Sequence, residues 1–475
     1  MKKILLLLLL MLALTKVQAH WEPDVRLTYD EAASGTSWNN AKSIASSGDT
    51  IHIVWYDSRD GNGEIYYKRS TDCGLSWDDD FRLTNDFAGS QFPSIAVLGS
   101  YVHIVWFDNR DLNNEIYYKR SSDGGTSWSE DIGLTANDSA HSWFPSLSVS
   151  GNMVHVVWYD VRDGNMEIYY KRSIDAGISW ENDVRLSENN VGDFRPSIES
   201  CNDYVHVVWF DFSETKINHI YYKRSTDGGL TFEPEKLLTE ETINSTSPCI
   251  TVSDTIVSVV YLSANKYVNY LYSTNSGLNW GKEITVNPHH SYQTSIASSG
   301  SKIHILFNDN RKGYSDIYYK YSSDGGISWG NDTLLSNNLS TSSDYPSICV
   351  SNLSIHLIWT DLRDGLNGEI YYKRNPTGNI VNVSEEYNKN FFGIYPNPAS
   401  DLLEIKLSES SELSESYKIN IYNMHGKCVS YLTPTLSASR EGVMRIDISQ
   451  LPVGMYFVIT NSGNSIDRNR FVILR

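Results

Sequence analysis

The chain contains 475 residues and carries a formal net charge of −18 at pH 7. An acidic surface repels phosphate backbones, so this charge argues against nucleic-acid binding. The five cysteines are scattered without paired spacing, which predicts neither a disulfide framework nor a zinc site: Cys73, Cys201, Cys249, Cys349 and Cys428. No pattern in the sequence indicates a cofactor.

Residues 1–19 have the features of a secretory signal peptide. Lys2 and Lys3 give a basic start, residues 4–14 form an apolar run, and residues 17–19 (VQA) are typical of a cleavage site. The run is too short to span a bilayer, and no later stretch approaches the length of a transmembrane helix. We therefore expect an exported, soluble protein that begins near His20.

One unit, IHIVWYDSRDGNGEIYYKRSTDCGLSWDDDFRLT at residues 51–84, recurs along the chain. The steps between successive copies are 51, 52, 51, 52, 46 and 52 residues, and the later copies begin at Val102, Val154, Val205, Val257, Ile303 and Ile355. A constant period of this size is typical of repeat architectures in which each copy is one supersecondary unit.

Each copy contains four short segments rich in β-branched and aromatic residues, separated by clusters of Asp, Asn and Gly. Four strands in one such period are typical of a β-propeller blade. Seven copies therefore predict an all-β, seven-bladed β-propeller over residues 20–380. The last copy lacks a good fourth strand, and residues 23–28 (PDVRLT) match that strand. We expect the N-terminal strand to complete the last blade and close the ring.

The composition changes after the last repeat. Residues 381–390 are polar and are interpreted as a linker. Residues 391–475 carry alternating strand patterns, which predict a small antiparallel, immunoglobulin-like β-sandwich.

The repeats share the pattern S-x-D-x-G-x-x-W after the third strand. The Asp can accept hydrogen bonds from turn N–H groups, the Gly supplies conformational freedom, and the Trp fills a gap between strands. These residues are predicted to be structural: Asp72, Trp77, Asp123, Trp128, Asp175, Trp180, Asp227, Asp324 and Trp329. The pattern resembles the Asp-box (BNR repeat) propellers, the group of sialidases and their non-catalytic relatives, and the resemblance implies that these turns lie away from the ligand.

A sialidase activity needs more than this resemblance. The family's enzymes use an arginine triad, a Tyr–Glu nucleophile pair and an Asp acid/base, with one arginine in an N-terminal F/Y-R-I-P motif. That motif is absent, and Phe194-Arg195-Pro196-Ser197 is a variant of a repeated segment in the middle of the ring. No residue is assigned a catalytic role, because fold alone does not establish an activity.

Two sets of residues recur with the repeats. Six histidines share one register of the second strand (His52, His103, His155, His206, His304 and His356), and we expect structural hydrogen bonds between blades rather than a metal site. Four arginines lie in the loop after that strand: Arg59, Arg110, Arg162 and Arg363. They are interpreted either as Arg–Asp forks within the scaffold or as part of a ring that contacts glycan or protein; a calcium site is the third alternative.

Residues that do not repeat are better candidates for specificity. They lie before the first strand of each blade, on the same face as the arginine loops: Phe87, Gln91, His141, Trp143, Phe194, Arg195, His289, His290 and Tyr292. Trp143 and Tyr292 either stack on a sugar or pack beneath a loop. With Arg195 and His141 they form the predicted ligand site.

Four ordered motifs mark residues 391–475, among them YPNPASD at 395–401 and ISQLPVGMY at 448–456. The module resembles the type A sorting domain of the type IX secretion system, which implies passage through the periplasm, contact with that secretion machinery, and delivery to the cell surface or medium. The favoured function is a non-catalytic propeller that binds glycan or protein outside the cell. The alternatives are a sialidase-like glycoside hydrolase and a structural surface-layer component.

Overall fold

The computed structural model describes two parts of the chain. The first is 21–378 without 39–40, 136–139, 189–191, 213–216, 241, 337–340, 352–353 and 366; the second is 392–473 without 396–398, 408–417, 424–427, 433–442 and 462–465. The predicted signal peptide and linker lie outside these residues. Contacts place Gln18–Ile380 in one compact unit and Val381–Arg475 in another. In neither described part is there a helix long and apolar enough to cross a membrane.

The first unit is a seven-bladed β-propeller, as predicted, and it is built from seven antiparallel sheets. We letter the strands of each blade a to d from the central channel outward. Strands a are Ile44–Ser47, Ser90–Leu98, Ser142–Ser150, Gly192–Cys201, Thr246–Ser253, Ser291–Ser299 and Ser343–Ser351. Strands b are Thr50–Asp57, Tyr101–Asp108, Met153–Asp160, Tyr204–Phe212, Ile256–Leu262, Lys302–Asp309 and Ser354–Asp361.

The outer half of each blade follows the same order. Strands c are Glu64–Ser70, Glu115–Ser121, Glu167–Ser173, Ile220–Ser225, Val268–Ser273, Asp316–Ser322 and Glu369–Asn375. Strands d of blades 1 to 6 are Phe81–Arg82, Ile132–Gly133, Val184–Arg185, Lys236–Leu237, Ile284–Asn287 and Thr333–Leu334. In blade 1 the short strand Ser34–Gly35 also pairs with strand b, where Ser34 opposes Asp57.

The ring closes through the N-terminal strand. Val25–Arg26 is strand d of blade 7, with Val25 opposite Tyr372 and Arg26 opposite Tyr371, as predicted from the sequence. The preceding residues reinforce the closure, because Trp21 packs edge-on against Tyr319 of blade 6 with ring centroids 5.0 Å apart. Two distant parts of the chain therefore share one sheet, and blade 7 gains the outer strand d that the other blades have.

The S-x-D-x-G-x-x-W segments, which we call the aspartate turns, form the predicted hydrogen-bonded turns. In blade 3 the Asp175 carboxylate accepts the Ser179 hydroxyl at 2.6 Å, the Ser179 N–H at 2.8 Å and the Ser173 hydroxyl at 2.8 Å. These bonds, that of the Ser179 hydroxyl above all, lower the pKa of Asp175 to about 2. A neutral carboxyl would lose part of this stabilisation, so the turn depends on the ionised form.

The tryptophan of each turn contacts the preceding blade rather than a gap within its own. Trp180 of blade 3 packs edge-on against Tyr118 of blade 2, with centroids 4.9 Å apart. The Tyr118 hydroxyl also lies against Gly177, where an added Cβ would be 1.8 Å from the hydroxyl oxygen. The same arrangement recurs around the ring, so a tyrosine of one blade is seated in the turn of the next.

The repeated histidines hold these tyrosines. His103 Nδ1 lies 2.7 Å from the hydroxyl of Tyr118, in the same blade. The prediction of a structural role is supported, but the predicted bond between blades is wrong: the histidine bonds within its blade, and the tyrosine makes the contact with the next. In blade 5 Ser258 takes the place of the histidine, 2.8 Å from the hydroxyl of Tyr270.

The second unit contains two antiparallel sheets. One consists of Phe392–Tyr395, Leu402–Leu407 and Val443–Asp447; the other consists of Cys428–Leu432, Lys418–Asn423, Gly454–Asn461 and Ile466–Ile473. Buried apolar residues of both sheets, such as Leu403 and Val458, meet in one core. This is the predicted small β-sandwich. The motif residues 396–398 and 424–427 lie outside the described part.

The contact between each tyrosine hydroxyl and the glycine of the next turn, which we call the seat of the tyrosine, predicts an effect on stability. Gly124 and Gly125 both adopt a positive φ, of 71° and 83°. A Cβ at Gly125 would lie 1.9 Å from the Tyr67 hydroxyl oxygen, whereas a Cβ at Gly124 meets nothing within 4 Å. Gly124→Ala should cost about 1 kcal/mol, the price of a left-handed residue, and Gly125→Ala roughly 1–3 kcal/mol more because of overpacking.

The measurement is thermal unfolding of the full chain carrying each substitution. Ala176 already occupies the position of Gly124 in blade 3, at φ 56°, so Gly124→Ala is a control that the fold accepts. Equal melting temperatures for the two variants would contradict the proposed seat of Tyr67.

The histidines predict a dependence of stability on pH. Burial lowers the pKa of His155 to about 3 and that of His103 to about 4. The unfolded chain binds protons at an ordinary histidine pKa near 6.5, whereas the folded chain does not. The contribution of each histidine to the free energy of unfolding is therefore fully present above pH ~6.5. It is lost as the pH falls toward 4, by up to about 1.4 kcal/mol per pH unit for each histidine.

His155→Ser copies the serine–tyrosine pair of blade 5 and should make this loss less steep. The melting temperature of wild type and variant is measured between pH 8 and pH 4. His290→Ser is the matched control, because His290 is exposed and its replacement should leave the slope unchanged. An unchanged slope in His155→Ser would refute the role assigned to His155.

Candidate functional site at the mouth of the central channel

The central channel is narrow and lined by all seven strands a. It encloses a cavity of about 220 Å³. Ala45, Ala96 and Ser148 occupy one lining position in blades 1 to 3, and Glu199 stands at that position in blade 4. The Glu199 carboxylate forms an ion pair with the Lys42 ammonium of blade 1. Small side chains and this ion pair leave little room for a ligand inside the channel, so the candidate site lies at its mouth.

A β-bulge shapes the mouth. In blades 2 to 7 the register of strand a shifts just before the channel, as between Gln91 and Ser94. We call the residues at the bulge the mouth ring: Phe92, Phe144, Arg195, Ser247, Gln293 and Tyr345. All except Gln293 have a positive φ, between 48° and 56°. A bulge with left-handed geometry turns a side chain away from its usual direction, which is a frequent feature of functional sites.

The aromatic side chains of the mouth ring touch across blade boundaries. Phe92 and Phe144 have centroids 4.9 Å apart. Trp38, from a longer segment that interrupts strand a of blade 1, packs against Phe92 at 4.9 Å and stacks on Tyr345 at 5.8 Å. Trp38 is 41% exposed. An aromatic surface therefore runs from blade 7 through blade 1 to blade 3.

A second row of rings supports this surface from blades 3 and 4. Tyr159 lies 5.6 Å from Phe144 and 5.4 Å from Phe194. The opposite part of the mouth is polar, since Ser247, Gln293 and Asn308 occupy the corresponding positions in blades 5 and 6. The mouth thus combines an aromatic half with a polar half, a common composition of sugar-binding surfaces.

Arg195 is the cation of the mouth ring. The side chain is partly buried, and its Nη1 donates a hydrogen bond to the Ser247 hydroxyl at 3.3 Å. Among the described residues it forms no ion pair. Burial lowers the pKa of Arg195, and electrostatic interaction with the Tyr159 and Tyr345 side chains opposes this effect. A partly buried cation without a carboxylate is costly unless an anion joins it.

The predicted loop arginines form ion pairs with aspartates of their own blades, and we call these pairs the arginine forks. In blade 7 one of the aspartates is Asp24, which comes just before the N-terminal strand that closes the ring. Arg162 donates to Asp160 at 2.6 Å and to Asp183 at 2.7 Å, and its guanidinium lies 4.4 Å from the ring centroid of Tyr169. Arg59, Arg110 and Arg363 have equivalent partners. The structure does not bring these arginines together at one site, and their donors serve the scaffold.

The predicted aromatic candidates differ in their surroundings. Trp143 stacks on His141 with centroids 4.8 Å apart and also contacts Tyr159 at 5.3 Å. Tyr292 is 40% exposed, and its hydroxyl accepts a hydrogen bond from Asn310 at 3.1 Å. A ligand-binding role for these residues stays a prediction, and of the two rings Tyr292 is the more accessible.

Sequence reasoning missed several residues of the mouth, notably Trp38, Asn308, Asp344 and Tyr345. For Asn308 a signal was present in the repeats. The residue after the repeated strand-b tryptophan is Tyr56, Phe107, Tyr159, Phe210, Leu262, Asn308 or Thr360, while its neighbours hardly vary. When the residue at one position of a regular repeat varies, the scaffold does not require a particular side chain there.

A metal centre has no support in the part of the chain that the structure describes. Within it, no group of three or more His, Cys, Asp or Glu side chains is placed to hold an ion. The repeated histidines are occupied by tyrosine hydroxyls, as described above.

The C-terminal unit matches a known protein family. Residues 393–474 match the family described as the secretion system C-terminal sorting domain. The C-terminal unit is a secretion sorting domain. It indicates export to the cell surface or secretion, and it implies contact with the secretion machinery, as predicted. No curated protein matches the chain.

The propeller resembles solved structures of polysaccharide-processing enzymes. The polysaccharide lyase Uly1 is 11% identical with a TM-score of 0.53, over 75% of this chain and 99% of that chain. An ulvan lyase is 11% identical with a TM-score of 0.54, over 74% and 95%. The NanB sialidase from Streptococcus pneumoniae is 11% identical with a TM-score of 0.44, over 74% and 94%. At these identities the first two show a shared fold and nothing more.

Arg195 generates a third stability prediction. Arg195→Ser copies Ser247, which has the same bulge geometry in blade 5, and it removes a partly buried cation without a carboxylate partner. The melting temperature should stay unchanged or rise. Arg172→Ser, which breaks the ion pair with Glu181, should instead lower stability by about 1–3 kcal/mol. A comparable loss in Arg195→Ser would mean that Arg195 serves the scaffold.

Proposed function

We propose that the exported propeller binds an anionic polysaccharide at the mouth of its central channel, without catalysing a reaction on it. The observation that carries this proposal is Arg195, a partly buried guanidinium that pairs with no carboxylate among the described residues. A sulfate or carboxylate of a ligand would supply the missing counter-charge and accept two parallel hydrogen bonds.

The surroundings of Arg195 support a carbohydrate rather than another anionic ligand. Trp38 offers an exposed aromatic face beside the mouth, on which the apolar face of a sugar ring can stack. Gln293 offers a neutral polar group for sugar hydroxyls. The first two similar structures have polysaccharides as substrates, and since they share only the fold with this chain, they are consistent with the proposal without supporting it further.

Binding is favoured over hydrolysis because the acid–base groups that hydrolysis needs are not paired at the mouth. Glycoside hydrolases use two carboxyl groups on either side of the scissile bond. Asp344 lies at the mouth, whereas Glu199 lies in the channel and is engaged by Lys42. Repeated aspartates at the ends of strands b, such as Asp309, are engaged by arginines. The pKa of Tyr159 and that of Tyr345 are raised by burial, so neither phenol is poised as a base.

The proposal is tested with the secreted protein on an array of sulfated, uronic-acid and neutral glycans, followed by calorimetry on the strongest ligand. Arg195→Ser should weaken binding of anionic glycans at least tenfold and reduce its dependence on salt, and Arg195→Lys should weaken it less. Arg120→Ser is the control: Arg120 also forms no ion pair among the described residues, and it lies beside the aspartate turns.

Two outcomes would overturn the proposal. If Arg195→Ser and Arg120→Ser weaken binding equally, net charge rather than the site explains the affinity. If the protein turns over a fluorogenic sialoside, an anionic polysaccharide or any of a small glycoside panel, and Asp344→Asn abolishes that turnover, the propeller is an enzyme instead.

A further inference from the structure

A second cavity lies between blades 6 and 7, beside the mouth ring. It has a volume of about 350 Å³, and three tyrosines, one aspartate and one glutamine line it: Tyr292, Tyr314, Tyr345, Asp344 and Gln293. Tyr292 and Tyr314 are 40% and 48% exposed. We call this cavity the tyrosine pocket. It shares Gln293 and Tyr345 with the mouth ring and contains neither Arg195 nor Trp38.

Asp344 gives the tyrosine pocket a fixed negative charge. Its Oδ1 accepts hydrogen bonds from Asn308 Nδ2 and from the Ser315 hydroxyl, both at 2.7 Å. These two bonds hold the carboxylate in one orientation. Among the described residues Asp344 forms no ion pair, and its Oδ2 accepts no hydrogen bond. The aspartates of the arginine forks contrast with it, since each has an arginine partner.

Gln293 adds a second unused acceptor. Its Oε1 is buried and has no hydrogen-bond partner within the described part of the chain. A buried acceptor without a donor costs about 1–3 kcal/mol, and a ligand that brings a donor would remove this cost. The pocket therefore lacks a positively charged donor that could satisfy both the carboxylate and the amide oxygen.

We propose that the tyrosine pocket binds a primary ammonium group. An ammonium carries three N–H donors and a charge that matches Asp344. Aromatic faces attract cations through the ring quadrupole, and rings around a carboxylate are a known way to bind ammonium groups. The chain's net charge of −18 favours the approach of a cation. The tyrosine pocket calls for a positively charged ligand, whereas Arg195 calls for a negatively charged one. The pocket is therefore distinct from the anion site proposed above.

Two sources can supply this chemistry, an amino sugar and a lysine side chain. Both present a primary ammonium on a flexible or ring-bound carbon, and the described residues of the pocket do not distinguish them. A neutral N-acetylated sugar has the same ring and hydroxyls without the charge. It separates recognition of an ammonium from recognition of sugar hydroxyls.

The experiment is calorimetric titration of the full chain at pH 6 with three probes. They are a β-1,4-linked glucosamine tetramer, its fully N-acetylated counterpart and a short lysine peptide. We expect the glucosamine tetramer, the lysine peptide or both to bind at least tenfold more tightly than the N-acetylated tetramer. Asp344→Asn keeps the Oδ1 acceptor and should weaken the cationic probes at least tenfold.

Two further variants keep the test decisive. Asp203→Asn makes the same charge change at an exposed turn between strands a and b and should have no effect. Tyr314→Ala removes an exposed ring from the pocket and should weaken binding while the melting temperature stays constant. Arg195→Ser should leave ammonium binding unchanged or tighter, so the two proposed sites stand or fall separately.

Specific outcomes would overturn the inference. Equal affinity for the glucosamine and N-acetylated tetramers would identify the pocket as a site for sugar hydroxyls. An equal effect of Asp344→Asn and Asp203→Asn would reduce the interaction to attraction by net charge. The absence of binding by both cationic probes to a folded wild-type protein would refute an ammonium site.

Discussion

The propeller depends on one contact that is repeated at every boundary between blades. A tyrosine of one blade packs edge-on against an aromatic ring of the next, with centroids 4.9 to 5.1 Å apart at all seven boundaries. Six aspartate turns supply this ring, and Trp21 supplies it at the boundary between blades 6 and 7. The N-terminal segment thus contributes both the last strand and the last aromatic contact, and the ring is complete only when this segment meets blade 7.

This distribution of stabilising contacts explains why the mouth is free to vary. The aspartate turns and the histidine–tyrosine pairs lie away from the mouth, and the arginine forks, which lie on the same face as the mouth, bind aspartates of the scaffold. The bulge of strand a fixes the backbone of the mouth ring, including five left-handed residues. Side chains as different as Phe92, Arg195 and Ser247 can therefore occupy equivalent positions without disturbing the scaffold, which is how a symmetric ring acquires an asymmetric site.

The scaffold was predictable from the sequence, and the site was predictable only in part. The regular copies of IHIVW and EIYYKRS predict seven blades. The match of residues 23–28 to strand d predicts how the ring of blades closes. Arg195 was recognised because it departs from a repeated segment. Trp38 was not, because nothing in the sequence shows which side chain of a longer segment reaches a neighbouring blade. Asp344 became significant only when the bulge register placed it beside Tyr314.

The separation of charges at the mouth limits what the ligand can be. In the proposals above Arg195 binds an anion and Asp344 binds a cation, and Tyr345 lies in both surroundings. Since neither charge is neutralised by the other, each is left available to the outside. An anionic polysaccharide bound at Arg195 is therefore expected to avoid Asp344 and to extend toward the aromatic half of the mouth. The two proposed ligands, an anion at Arg195 and an ammonium group at Asp344, occupy separate parts of the mouth.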